Sequence, residues 1–158
     1  MHNKLQKLRE ERATGENGFT LIELLVVVVI IGILIAIAIP LYLNYKKGAN
    51  DKAAQSDVRN AISVLETCNS DNGSYPTGTT TGATLAAGAP AGCSAQSISV
   101  SNNSTLTYFP VAATGPTSYV LYGTNSGGTG KYYCYASTAG GSVKSETALP
   151  TTAQTTCP

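Results

Sequence analysis

The side chains that could do chemistry are few: nine carboxylates, four cysteines and a single histidine, His2, in 158 residues. Beyond Asp71 the only carboxylate is Glu146. General acid–base pairs, a cysteine nucleophile with its base and a phosphate-cradling glycine motif are all missing from the pattern. The reading is of a protein that is not an enzyme and takes no cofactor. Two sets remain. Glu23 interrupts the apolar run FTLIELLVVVVII. A carboxylate at the centre of a membrane helix costs about 2.5–3.5 kcal/mol, less near an end, and a buried charge wants a counter-ion. The second set is Cys68, Cys93, Cys134 and Cys157. None is close to another in sequence and no histidine lies nearby, which argues against zinc and for two disulfides, with three possible connectivities.

The elements that must position these residues read in pieces. Residues 1–18 form a charged leader carrying Lys4, Lys7, Arg9 and Arg12. Residues 19–43 are apolar apart from Thr20, Glu23, Gly32, Pro40 and Tyr42. As a helix they would reach roughly 37 Å, enough for a hydrocarbon layer of about 30 Å. From Asn44 to Cys68 the pattern turns amphipathic: Ala54, Val58, Ala61, Ile62 and Leu65 share a stripe, while Lys47, Lys52, Asp57, Arg59 and Glu66 can occupy the other face. Asn72-Gly73 supplies a left-handed stop, and Tyr75-Pro76 commits the chain to an extended or turn conformation. The spacing predicts one helix over Phe19–Asn69.

From Gly73 to Thr105 the composition reads as loop, with a short strand at Ser97–Val100. Further strands are predicted at Leu106–Val111, Ser118–Tyr122, Lys131–Ala136 and Ser142–Glu146, separated by glycine-rich turns. The fold class is α+β: a long N-terminal helix on a C-terminal antiparallel sheet, with residues 44–158 forming a globular head covered by the stripe at 54–65. From residue 19 on, Lys46, Lys47, Lys52, Arg59, Lys131 and Lys144 balance Glu23, Asp51, Asp57, Glu66, Asp71 and Glu146. Such a balance provides no long-range field to gather nucleic acid.

The N-terminus admits three readings. A secretory signal peptide would be cut at Ala36-Ile37-Ala38, leaving half a helix that starts beside a proline. An uncleaved anchor would let Glu23 snorkel to the interface. The third starts from the motif itself. Gly18-Phe19-Thr20-Leu21-Ile22-Glu23, followed by an apolar helix containing Pro40, resembles the N-terminus of type IV pilins and the related pseudopilins. The resemblance covers Gly18 to about Leu43. It implies a membrane-embedded prepilin peptidase that cuts after Gly18 and methylates the new N-terminus at Phe19. The leader is longer than those common in that family. The resemblance further implies a single-pass precursor in the bacterial inner or cytoplasmic membrane, polymerised with copies of itself into an extracellular pilus. An assembly ATPase and a membrane platform are the other implied partners. The competing class is a membrane-tethered or secreted binding domain that never polymerises.

Such a cut would create an α-amino group at Phe19, four residues before Glu23. Within one helix the free first-turn N–H groups partly serve the carboxylate. In a bundle, Glu23 of one subunit can meet the Phe19 amine of a neighbour and fix axial register, an assembly role that the resemblance also implies. Gly32 weakens a helix by about 1 kcal/mol relative to Ala, and Pro40 cannot bond back to the Ala36 carbonyl. The interval 32–40 is the place for the helix to bend or melt on assembly, unless Pro40 is an ordinary tolerated membrane proline. Among the disulfide connectivities the reading favours Cys68–Cys93, pinning the long loop to the helix end, with Cys134–Cys157 tying down the tail. The latter is similar to the C-terminal disulfide loop of many type IV pilins. Asp71–Thr77 also resembles the helix end of type II secretion major pseudopilins, which typically hold calcium in an acidic loop. Calcium takes six to eight oxygens, usually several from carboxylates, and Glu146 alone cannot build that site. A pilus subunit is therefore expected ahead of a pseudopilin. Asn102-Asn103-Ser104-Thr105 holds two overlapping glycosylation sequons, at Asn102 and Asn103, and reads as a surface loop.

Overall fold

The computed structural model describes residues 18–78, 80–81, 98–112, 115–147 and 156–157. The leader before Gly18 lies outside the described residues, as do Cys93 and Ser97. The chain divides into two compact units, Met1–Tyr42 and Leu43–Pro158.

Helix α1 runs over Leu21–Asn72 and contains Pro40. It begins two residues later and ends three residues later than the spacing predicts. Gly73 terminates it with a φ of 72°, a left-handed conformation that costs glycine nothing. The Gly73 amide still donates to Asn69 O at 2.8 Å, and Asn72 Nδ2 donates to Cys68 O at 2.9 Å. Backbone carbonyls orphaned at the helix end thus find partners.

Five antiparallel strands follow in meander order: β1 (Thr80–Thr81), β2 (Ser104–Pro110), β3 (Tyr119–Asn125), β4 (Tyr132–Ala136) and β5 (Lys144–Glu146). The short β1, paired with Thr107 and Tyr108 of β2, falls inside the stretch that reads as loop. No strand forms over Ile98–Val100. The backbone there is drawn to the helix instead: Ser101 N and Ser101 Oγ donate to the two oxygens of Asp57, at 3.1 and 2.8 Å.

Alternation along the strands sorts their side chains onto two faces. Leu106 and Tyr108 of β2, Tyr119 and Leu121 of β3 and Tyr133 of β4 join Ala54, Val58, Ala61 and Leu65 of α1 in the main core. Val120 and Tyr122 of β3 face the other way and pack with Cys134 and Ala136 of β4, Phe109 and Cys157. The helix stripe is therefore not the only cover. A second apolar cluster, pinned by the Cys134–Cys157 disulfide, seals part of the far face.

The buried stripe of α1 is Asp51, Ala54, Val58, Ala61, Leu65 and Cys68, spaced 3, 4, 3, 4 and 3 residues apart, with Asp57 beside it. Asp57 is only 3% exposed, so its expected place on the solvent face is corrected. Its carboxylate is needed inside to hold Ser101. Strand β3 also continues three residues beyond Tyr122, through Gly123 and into Thr124-Asn125, the start of a stretch that reads in the sequence as a turn. The glycine is there because the helix lies against it. A Cβ at Gly123 would come within 2.5 Å of Val58 Cγ2 and 3.1 Å of Ala54 O.

Gly123→Ala should lower stability by about 1–3 kcal/mol, the usual cost of overpacking. It would be read as a drop in the urea midpoint of the full chain in detergent. An unchanged midpoint would show that helix and sheet can separate at no cost.

Candidate functional site

The N-terminal end of α1 is organised by Thr20 and Glu23. Thr20 N and Thr20 Oγ1 both donate to Glu23 Oε2, at 3.0 and 2.8 Å. In return Glu23 N donates to Thr20 Oγ1 at 3.3 Å. This is a reciprocal capping box, in which the acid reaches back over the first turn and the hydroxyl satisfies an orphan N–H. Sequence reasoning assigned Glu23 to the free first-turn amides in general and missed Thr20. The signal was present as Thr-x-x-Glu ahead of an apolar run. Both cap bonds fall on Oε2, and Oε1 takes none among the described residues. Glu23 is flanked by Phe19, Ile22, Val26 and Val27.

Among the described residues of the first unit, nothing covers this helix. Every large apolar side chain from Phe19 to Tyr42 is at least 48% exposed. By length and composition the helix can cross a membrane. At Gly32, where no heavy atom lies within 4 Å of the missing Cβ, and at Pro40 the helix continues unbroken. Gly18 and Phe19 lie exposed just before it. What this arrangement can do is associate: a single carboxylate, half satisfied, at the end of an apolar cylinder that needs lipid or other helices around it.

In the second unit three further helical acids, Asp51, Asp57 and Glu66, act as fasteners with neutral partners. Asp51 accepts from Thr129 N at 3.0 Å and from Thr129 Oγ1 at 2.5 Å, holding the β3–β4 turn. Asn50 Nδ2 donates to Gly127 O at 2.9 Å beside it. Glu66 accepts from Tyr119 Oη at 2.9 Å and from Tyr75 Oη at 3.0 Å. Asp51 and Asp57 are buried, and buried charges normally demand such donors. Cys134 is joined to Cys157. Cys68 is also disulfide-bonded, and its expected partner Cys93 lies outside the described residues. Asn102 and Asn103 are exposed in the turn before β2. Among the described residues no three His, Cys, Asp or Glu side chains group as a metal site.

A family model for the prokaryotic N-terminal methylation motif matches residues 14–39. The chain is 32% identical over 141 residues to the type IV wide pilus major component PilA4 of Thermus thermophilus, covering 89% of this chain and 96% of that protein. It is 49% identical over 53 residues to the type IV major fimbrial protein FimA of Dichelobacter nodosus, about a third of each chain. Type II secretion system core protein G of Aeromonas hydrophila is 39% identical over 62 residues, 39% of this chain and 43% of that one.

The tyrosine–acid contacts set an alkaline limit on the head. Burial, then the hydrogen bond to Glu66, pushes the Tyr75 phenol from 10.0 up to about 12, and the same causes push Tyr119 up further. An unfolded chain ionises its tyrosines near pH ~10. Above that the unfolded state holds fewer protons than the native state, so stability falls as pH rises. The urea midpoint should be insensitive to these groups below pH ~10 and decline from there towards pH ~12. A midpoint constant across that window would contradict the burial of both phenols.

Proposed function

Because this chain belongs to the type IV pilin family, we propose that it is exported behind its leader, cut after Gly18, methylated on Phe19 and polymerised through α1 into an extracellular pilus. The observation that carries this reading is the match spanning 96% of a pilus major component, helix and head together. The matches to core protein G cover less than half of that protein, which leaves the pseudopilin reading second. The methylation-motif match over 14–39 brackets the cut and supports Phe19 as the mature N-terminus. A prepilin peptidase, an assembly ATPase and a membrane platform are the machinery that this route requires. Before assembly, the precursor sits in the bacterial inner membrane through residues 19–43.

Glu23 serves as the assembly contact. Oε2 stays in the cap with Thr20 while Oε1 is open to the Phe19 amine of a neighbouring copy. The pair can therefore form without dismantling the helix end, and it removes an uncompensated charge from low dielectric. Bundling also covers the apolar flank that the monomer exposes. Gly32 and Pro40 mark where α1 gives way as copies pack, because that interval already lacks one helical hydrogen bond.

Two measurements test this. Surface fibres should have as their main constituent a chain whose intact mass begins at N-methyl-Phe19, whereas chains starting at Ile39 or Met1 would support the rival readings. Glu23→Ala should give the same trimmed, methylated N-terminus at Phe19 and an intact Cys134–Cys157 bridge but no fibres; a normal fibre yield would sink the assembly role. For the hinge, a map of the fibre should show α1 non-helical somewhere in 32–40, and an unbroken helix there would refute that part alone.

A further inference from the structure

Four tyrosines meet in the main core. The Tyr119 ring is the hub, with centroids 4.8 Å from Tyr75, 5.8 Å from Tyr108 and 6.0 Å from Tyr135. Aromatic packing accounts for the rings but not for where their hydroxyls go. Tyr108 Oη donates to Pro76 O at 2.7 Å, a carbonyl that cannot take a proton. Tyr119 and Tyr75 both donate to Glu66, one to each carboxylate oxygen. Tyr119 is fully buried, whereas Glu66 is exposed. A phenol sealed from water therefore touches a base that is in contact with water.

That asymmetry has a redox meaning. Removing one electron from a buried phenol leaves a cation that the core cannot solvate. The loss becomes feasible when the proton leaves at the same time along a preformed hydrogen bond. We propose that Tyr119, with Glu66 as its proton acceptor, is a one-electron donor that intercepts oxidising radicals at the head. The oxidant class is a diffusing one-electron oxidant, such as an organic peroxyl radical. The electron passes from Tyr119 to the oxidant, which becomes its one-electron-reduced anion. The Tyr119 O–H bond breaks, its proton moves to the Glu66 carboxylate, and a neutral phenoxyl radical and a carboxylic acid remain. A one-electron reductant such as a thiolate then restores the phenol as Glu66 returns the proton. Tyr75, bonded to the same acid and 4.8 Å away, shares the radical, while Tyr108 has no base and does not.

The full chain in detergent, with Tyr42→Phe and Tyr45→Phe to remove the exposed helical phenols, is oxidised by flash-generated tris(bipyridine)ruthenium(III) and followed by electron paramagnetic resonance. A persistent tyrosyl signal is expected, formed several-fold more slowly in D2O because proton and electron leave together. Glu66→Gln should cut its yield at least tenfold. Tyr119→Phe should shorten its lifetime at least tenfold, and Tyr108→Phe should leave both within twofold. Retained disulfides and tyrosine circular dichroism confirm that each variant is folded. If Glu66→Gln fails that check, the isotope effect on the parent chain decides. The proposal is overturned by no persistent signal, by no isotope effect, by undiminished yield in folded Glu66→Gln, or by equal losses in Tyr108→Phe and Tyr119→Phe.

Discussion

A helix that is apolar on every side must be covered by something other than its own chain. That constraint governs the first unit. Its large side chains, from Phe19 through the valine and isoleucine run to Tyr42, are left outside, and no described element of that unit folds back on them. At about 25 cal/mol per Å² of apolar surface, such a stretch is soluble only inside lipid or against other helices. The one polar side chain that could disturb this, Glu23, is placed at the helix end, where Thr20 meets half of its hydrogen-bonding capacity. Under the proposed function, the motif would combine an anchor with a single address for the next copy, and lipid and neighbouring helices would be alternative surroundings for the same surface.

The second unit solves the opposite problem. It has little charge to spend on its surface, and it places most of its helical carboxylates where neutral donors need them. Asp51 holds the β3–β4 turn, Asp57 fixes Ser101, and Glu66 collects two phenols. Each fastener joins α1 to a segment far away in sequence, so the sheet and its connections are attached to the helix at three heights. Hydrogen bonds to a charged group are worth about 1.5–3 kcal/mol. Three such attachments complement a core built partly from small residues, Ala54 and Ala61, which let the sheet approach closely.

Much of this architecture was legible because it rests on period. The helix, its stop at Asn72-Gly73, and most of the strands follow from 3.6-residue and two-residue alternation with turn residues between. What escaped rests on single contacts that compete with those periods. Asp57 reads as a surface residue because it is charged, yet it lies next to the stripe, and only the partner Ser101 reveals why. Asp51 falls on the stripe itself, at three residues before Ala54, so its burial could have been inferred from spacing. Gly123 has no assignment in the sequence pattern and is the place where a side chain would strike α1. Strand β1 has no pattern of its own and exists because β2 offers an edge. At the candidate site, Gly18, Phe19 and Glu23 were visible as a motif, and the capping role of Thr20 was also legible as Thr-x-x-Glu but was overlooked.

The meander order of the sheet bears on how such a head can diversify. Each strand from β2 onwards is hydrogen-bonded to its immediate predecessor in the chain, so no connection has to cross the sheet. Lengthening a turn then adds only closure entropy, about 0.6 kcal/mol for each doubling of the loop. Insertions and deletions at tips other than the β3–β4 turn, which Asp51 and Asn50 tie to α1, leave the strand pairing and those helix contacts in place. A lineage can therefore redraw the outward contour of its fibre many times while inheriting the inner spine unchanged.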